Sequence, residues 1–354
     1  MISFQSLLIA TTISLLLAFI IFYYLKKNSF LLDQVSSSAH KGLTKNSSSR
    51  KVVVCGGIII FFCCVLFFDN ELLILKIFAG LILIVGIFSD INKFNSPKLR
   101  ILLQSFIVLS FLLINENLTI TDLRIDFINK ILTIKYVSIF FTMFCMLILI
   151  NGSNFLDGIN TLVVGYYILV LVTIVITSIN FNLDINLDIF YLITFLSIIF
   201  LFNFFNRIYL GDAGSYLVSF LTAFFILDFY LQNTDSEIEI YNVSPYFICL
   251  LLWYPAFENL FSILRRIFLK KRLDEADQGH LHQMIYYFIG KNKFFNKRYI
   301  NTASGILINL FNLIVFIISY QFYSKTNYLA CVIFFNIFIY LLIYFILKKK
   351  NYHT

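Results

Sequence analysis

The sequence predicts an all-α, polytopic integral membrane protein with about eleven transmembrane helices. Three observations carry this reading. Of the 354 residues, 60% are hydrophobic and only 13% are charged, whereas soluble domains run near about 45–50% apolar and about 25% charged. The apolar residues gather in runs of membrane-spanning length, which means about 17–25 residues each. The basic residues crowd into alternate interspan loops. The whole chain, 1–354, reads as one polytopic domain.

The expected spans lie near 4–25, 52–68, 71–89, 99–115, 135–151, 159–180, 188–206, 213–232, 244–264, 301–322 and 328–347. The first opens at MISFQS without a basic flank and ends at Lys26 and Lys27, so it reads as a spanning helix and not as a cleaved signal peptide. The stretch LTITDLRIDFINKILTI (118–134) alternates apolar and polar residues and reads as a small surface hairpin. All six cysteines fall inside apolar runs, with no CxxC or Cys/His spacing, which argues against a disulfide framework or a zinc site.

Orientation follows from charge. Loops 26–51, 90–100 and 265–300, Arg207 and the tail Lys348–Lys350 together hold 22 of the 27 Lys and Arg. The loops between them read DNE (69–71), NLDINLD (182–188) and NTDSEIEIY (233–241). The positive-inside rule places the N-terminus outside and the C-terminus in the cytoplasm.

Four polar clusters interrupt the apolar pattern, all on the expected cytoplasmic side. They are Asp90 with Asn92 and Asn95, NGSNFLDGIN (151–160), NRIYLGDAGS (206–215) and ADQGHLHQ (276–283). A charge at mid-membrane costs about 2.5–3.5 kcal/mol on insertion scales, so Asp90, Asp157 and Asp212, each bordering a span, are expected at the cytoplasmic mouth. Converging carboxylates beside a basic surface suit a metal–polyanion complex, because Mg²⁺ takes one or two carboxylates and leaves its other positions to water and phosphates. The basic loops suit a nucleotide diphosphate, and no nucleic-acid partner is expected.

Each cluster also has a plainer reading. Asp212 could cap a helix opening at 213, although Gly211 and Gly214 beside it suit close approach of a ligand. The window 151–160 could be a turn; if it is helical, Asn154 and Asp157 at i, i+3 face one cleft. His280 and His282, at i, i+2, share no helix face and read as loop residues, which on their own would be solvated. Residues 33–50 read as a solvated loop whose Ser, Lys and Arg would also suit a phosphate.

Taken together, the clusters resemble those of the polyprenyl-phosphate N-acetylhexosamine-1-phosphate transferases, which belong with glycosyltransferase family 4. INGSNFLDGINTLVVG (150–165) resembles that family's Asn-x-x-Asn-Phe-x-Asp-Gly-x-x-Gly-Leu element, and IYLGDAGSYLVSF (208–220) its Phe-x-Gly-Asp-x-Gly-Ser element. GIFSDINKFNSPKLRILLQ (86–104) resembles its Asp-Asp element with the basic residues that follow. WYPAFENLFSILRR (253–266) with DQGHLHQ (277–283) resembles its loop with the His-x-His signature. There are departures: Ser89 replaces the first Asp of the pair, Asn160 and Thr161 replace an acid and a Gly, Gln283 replaces a third His of some members, and Glu258 replaces a common Asp.

The resemblance implies a bacterial plasma-membrane enzyme with a cytoplasmic active site. It would transfer N-acetylhexosamine-1-phosphate from a UDP-sugar to undecaprenyl or another polyprenyl phosphate, releasing UMP. The product would start a lipid-linked glycan such as O-antigen, capsule or teichoic acid. Gln283 favours this branch over the phospho-MurNAc-pentapeptide transferases. A lipid or anion transporter is the alternative from another class, but it would call for internal repeats and midplane polar residues. The implied cofactor is Mg²⁺, with Mn²⁺ able to replace it, held by Asp212 and Asn154. Asp90, Asp157 and Asp212 are the implied catalytic residues, and Asn154, Lys98, Arg100, His280 and His282 the implied substrate contacts. A phosphate monoester with a second pKa of about 6 is already mostly dianionic at pH 7, so Asp90 and Asp157 are cast as organisers more than as bases. The oligomeric state stays open, a homodimer being compatible with the sequence.

Overall fold

The computed structural model describes residues 4–32, 52–94, 96–234, 242–270, 279–291 and 299–352. Asn95, residues 33–51 and residues 276–278 lie outside the described residues. The described chain is a bundle of α-helices. These are α1 (Phe4–Lys27), α2 (Gly56–Phe67), α3 (Leu73–Asp90), α4 (Pro97–Ile114), α5 (Asp126–Leu132), α6 (Lys135–Leu156) and α7 (Leu162–Phe181). They continue with α8 (Asp188–Phe204), α9 (Gly211–Gln232), α10 (Pro245–Leu251), α11 (Trp253–Phe268), α12 (Leu281–Gly290), α13 (Ile300–Ser319) and α14 (Thr326–Tyr352).

The protein is a multi-pass membrane protein. Among the described residues, eight helices are long and apolar enough to cross a bilayer, or nine if the bent pair α10–α11 is one span. The helices α2 and α8, inside the expected spans 52–68 and 188–206, are apolar but shorter, with 12 and 17 residues. By length alone the structure therefore supports fewer crossings than the eleven expected.

The 118–134 stretch is not a hairpin. Its second half is the short helix α5, and the only strands among the described residues lie elsewhere. Local bonds explain the difference. Asn129 accepts the Leu123 N–H through Oδ1 at 2.8 Å, and Arg124 donates to the Ser324 and Asn242 carbonyls at 2.8 and 3.0 Å. The polar positions anchor a turn, so no partner strand is needed.

The core is built on α9. Its first two turns touch α2 and α3 with no side chain between them. A Cβ on Gly57 would lie 2.6 Å from the Gly214 Cα, and one on Gly86 would lie 2.3 Å from the Ala213 Cα. Small residues at such crossings let backbones meet where lipid offers no hydrophobic drive for association. Two short parallel strands, β1 (Val53–Val54) and β2 (Ile208–Tyr209), pair Val53 with Ile208 just ahead of α2 and α9. They set the two helix N-termini side by side.

The break between α10 and α11 bends the chain by 73°. Pro255, in the first turn of α11, has no N–H for the Leu251 carbonyl, and the Tyr166 hydroxyl donates to that carbonyl instead at 2.7 Å. Past the bend, α11 is amphipathic in the reverse of the soluble sense. Glu258, Asn259, Ser262, Arg265 and Arg266 are buried, while Leu264, Ile267 and Phe268 are exposed.

The Gly86 contact yields a test. Gly86→Ala forces α3 and α9 apart, and overpacking of this kind costs about 1–3 kcal/mol or more. Its thermal midpoint in detergent should fall by several degrees, whereas Gly290→Ala, whose added carbon would meet only the Ile300 Cδ1 at 3.9 Å, should leave it unchanged.

Candidate active site

The site begins with the N-terminus of α9. The first turn of a helix has N–H groups without intrahelical partners and a positive end. Asp90, the last residue of α3, supplies the missing acceptors: its two carboxylate oxygens accept the Asp212 and Ala213 N–H groups at 3.0 Å each. The helix opens at Gly211, with Asp212 inside its first turn. The capping role considered for Asp212 therefore falls to Asp90. Gly211 has φ +75°, and a Cβ there would lie 2.7 Å from Asp90 Oδ2 and 2.2 Å from Val54 Cγ1. Gly214 serves helix packing and not ligand approach, because it faces Gly57.

With its N–H capped, Asp212 is free to use its side chain, which meets donors from three other helices. The Ser89 hydroxyl of α3 donates to Oδ2 at 2.5 Å. Arg100 of α4 donates to the same oxygen at 3.1 Å and to Ser89 Oγ at 2.8 Å. Asn154 of α6 donates through Nδ2 to Oδ1 at 2.8 Å, leaving its own carbonyl oxygen uncommitted by that bond. The Arg100 and Asp212 side chains are 22% and 18% exposed, so the pair is partly desolvated and stronger than a surface ion pair.

The structure thus brings Asp90, Arg100, Asn154 and Asp212 together. Asp157 directly follows α6, its N–H bonded to the Ser153 carbonyl at 3.1 Å. Lys98 is exposed in the first turn of α4, and no hydrogen bond among the described residues ties it to the cluster. Much of the 151–160 window has a structural role. Asn151 bonds Gln104 at 3.2 Å, Ser153 shares a 2.5 Å bond with Tyr167, and Asn160 donates to Asn206 at 2.5 Å.

Thr161, at the family's Gly position, has φ +66° in the left-handed region. That conformation costs a β-branched residue about 1–2 kcal/mol. Its surroundings hold it there: the Asn203 side chain accepts its N–H at 2.5 Å, and Asn309 Nδ2 donates to its carbonyl at 2.9 Å.

A second cluster lies on α11, α12 and α14. His280 and His282 are neither solvated nor both in a loop: both are fully buried, His280 preceding α12 and His282 in its first turn. They are buried because α12 packs against α13 and α14 and turns its first residues inward. Their rings stack at 5.4 Å with 18° between planes. Glu258 Oε1 lies 2.8 Å from His280 Nδ1, and Tyr340 donates to Glu258 Oε2 at 2.5 Å. Phe155 joins the clusters. It follows Asn154 in α6, and its ring lies 5.4 Å from His280 and 5.7 Å from the Arg266 guanidinium.

Two of these participants escaped the sequence reading. Ser89 stands where the resemblance expects an acid, yet it is a donor to Asp212. Tyr340 carried no signal as one of 21 tyrosines. Glu258, a lone acid inside an apolar run, did carry one, since intramembrane ionisable residues are functional candidates.

Fold and site together define a membrane-embedded bundle with a carboxylate–guanidinium cluster at one end. Residues 72–230, from the residue before α3 to the end region of α9, match the model of glycosyl transferase family 4. Over 223 residues the chain is 23% identical to the probable undecaprenyl-phosphate N-acetylglucosaminyl 1-phosphate transferase of Bacillus subtilis (strain 168). That alignment covers 62% of this chain and 60% of the relative. The chain is similar to glycosyl transferase family 4 over this segment, which is somewhat under half of its length. The matched segment holds Ser89, Asp90, Arg100, Asn154, Asp157 and Asp212, while Glu258, His280, His282 and Tyr340 lie beyond it.

The Thr161 backbone can be tested directly. Glycine there relieves left-handed strain of about 1–2 kcal/mol and gives back about 0.5–1 kcal/mol in chain entropy. Both glycine and valine lose the Thr161 hydroxyl, but only glycine relieves the strain, so Thr161→Gly should lower the thermal midpoint less than Thr161→Val does. Thr161→Val, which keeps the strain and loses the hydroxyl bonded to the Asn160 and Thr302 carbonyls, should lower it.

Proposed function

We propose that this protein transfers an N-acetylhexosamine-1-phosphate from a UDP-sugar to a polyprenyl phosphate, releasing UMP and starting a lipid-linked cell-surface glycan. The observation that carries the reading is the Ser89–Asp90–Arg100–Asn154–Asp212 cluster. It is a polar site at one end of an apolar bundle, held by the segment that matches the family. The name of the Bacillus subtilis relative supports the same transferred group and acceptor class.

The reaction joins two polyanions, so neutralising and aligning charge is the main task. Arg100 is the guanidinium nearest the cluster and suits a phosphate oxygen bidentately. Asp90 accepts two backbone N–H groups, which suits an organiser of the α9 terminus better than a proton acceptor. The lipid phosphate needs little help from a base, since its second pKa is about 6. His280, His282 and Lys98 are further candidates for the donor's phosphates.

The donor set fits a hard divalent cation. No group of three or more His, Cys, Asp or Glu able to hold a metal occurs among the described residues, but Mg²⁺ needs only one or two carboxylates when phosphates complete its shell. Asp212 and the Asn154 carbonyl would hold it, and bound there it would offset the diphosphate charge. Both Asp212 oxygens are bonded here, Oδ2 to Ser89 and Arg100 and Oδ1 to Asn154, so a cation held there would compete with these donors.

In the proposed orientation the cluster faces the cytoplasm of a bacterial plasma membrane. In a variant without native cysteines, a cysteine at Lys270, exposed after α11, should react with an impermeant maleimide only from the cytoplasmic side. One at Lys130, exposed in α5, should react only from outside, and reaction of both from one side overturns the topology.

Purified protein given undecaprenyl phosphate and a panel of UDP-N-acetylhexosamines should release UMP. Chelation should abolish turnover, with Mg²⁺ or Mn²⁺ restoring it. Asp212→Asn should lose at least about a thousandfold, in the range of removing a principal electrostatic group, while inserting normally. Substantial turnover by Asp212→Asn would remove that residue from the metal role, and no UMP release with any donor would reject the transferase reading.

A further inference from the structure

We propose that Ser89 and Arg100 form a built-in counter-ion for Asp212 which a divalent cation has to displace. The protein alone then holds the cation weakly, and an anionic phosphate that draws Arg100 away strengthens its hold. The identity of cation and anion rests on the transferase reading above; the competition for Asp212 rests on the hydrogen bonds.

The three side chains close a triangle. Arg100 Nη1 donates to Ser89 Oγ at 2.8 Å and to Asp212 Oδ2 at 3.1 Å, and Ser89 donates to the same Oδ2 at 2.5 Å. A hydroxyl has one proton and two lone pairs. Ser89 gives its proton to Asp212 and accepts from Arg100, which holds the guanidinium against the carboxylate. Ser89 is buried and the Arg100 side chain mostly so, and water screens such a pair only in part. Tyr216, buried one turn further along α9, lies against the same guanidinium. Asp90 engages the α9 backbone with both of its oxygens. Among the described residues, Asp212 is the carboxylate paired with Arg100.

A divalent ion bonded to an Asp212 oxygen would stand about 2.0–2.1 Å from it, beside the guanidinium that bonds the same carboxylate. Like charges this close in a partly desolvated site repel. The ion therefore gains Asp212 only as Arg100 gives it up. The hydroxyl at position 89 makes this so, because a carboxylate there would itself pair with Arg100 and leave Asp212 to the ion. An anion reverses the balance. Both Arg100 bonds in the triangle use Nη1, so the Nη2 edge can meet a phosphate oxygen first, in the forked geometry that suits a guanidinium. A guanidinium turned onto phosphate loosens its hold on Oδ2. Cation and anion then raise each other's affinity by the same factor, as linkage requires.

The test measures Mn²⁺ bound to the full protein in detergent by equilibrium dialysis at fixed free Mn²⁺, and it needs no turnover. The quantity counted is the binding that Asp212→Asn lacks. Without nucleotide, Arg100→Gln should bind Mn²⁺ about tenfold tighter than the unaltered protein, the scale of one hydrogen bond to a charged group. Ser89→Ala should also bind it tighter, by about threefold. Lys93→Gln removes an equal charge from the exposed turn after α3 and should change the affinity much less, since salt screens exposed charges. A disturbed fold does not mimic a gain in affinity, and thermal midpoints check that each variant folds. With saturating UDP the unaltered protein should gain affinity and the gap to Arg100→Gln should narrow. Equal affinities in the unaltered protein, Ser89→Ala and Arg100→Gln, or no such binding in any of them, overturn the proposal. Weaker binding in a folded Ser89→Ala overturns it too, because the Ser89 hydroxyl is then a ligand of the ion. A gap left equally wide by UDP overturns the role given to the anion. If the unaltered protein transfers no sugar phosphate, the transferase reading fails by itself, and the nucleotide-free titrations still decide whether Arg100 and the cation compete.

Discussion

The capping of α9 by the Asp90 carboxylate is the contact on which the rest of the site depends. It crosses from the last residue of one membrane helix to the first turn of another and satisfies two backbone donors that would otherwise be left without partners. The same contact brings Ser89, one residue earlier, against the Asp212 side chain. It needs Gly211, because any side chain there would strike the carboxylate. It also needs α3 and α9 to touch backbone to backbone, as Gly86 and Ala213 allow. Cap, glycine and crossing are thus one requirement written at three positions.

Around that contact the polar groups are bonded to one another, as an apolar setting demands. The carboxylate of Asp212 is shared among α3, α4 and α6, and that of Glu258 between α12 and α14. The C-terminal turn of α6 touches both, through Asn154 and Phe155. The segment matching glycosyl transferase family 4 carries the first carboxylate, and the chain beyond it carries the second.

The helical class and the grouping of Asp90, Arg100, Asn154 and Asp212 could be read from the sequence because both leave local marks. Long apolar runs have few alternatives to helix, and acids bordering such runs are rare enough to stand out. What could not be read was the direction of side chains. Nothing local says that Asp90 caps a helix 121 residues away, since a cap supplied from another element leaves no spacing rule. His280 and His282 looked solvated because their short flanking sequence is polar; their burial comes from α13 and α14, far along the chain. The alternation in 118–134 was real, but its polar residues hold a turn to the loops near Asn242 and Ser324. Thr161 in a left-handed conformation had no signal in this chain alone, because its support comes from Asn203 and Asn309.

The glycines are distributed unevenly along the bundle. Gly57, Gly86, Gly152, Gly165 and Gly305 each stand where an added carbon would come within 2.6 Å of an atom of another helix or of the 160–162 turn. All lie toward the end that holds the polar clusters, whereas the connections 68–72, 115–125, 182–187 and 320–325 contain no glycine. The polar clusters of this membrane protein thus sit at the end where its helix backbones are drawn closest together.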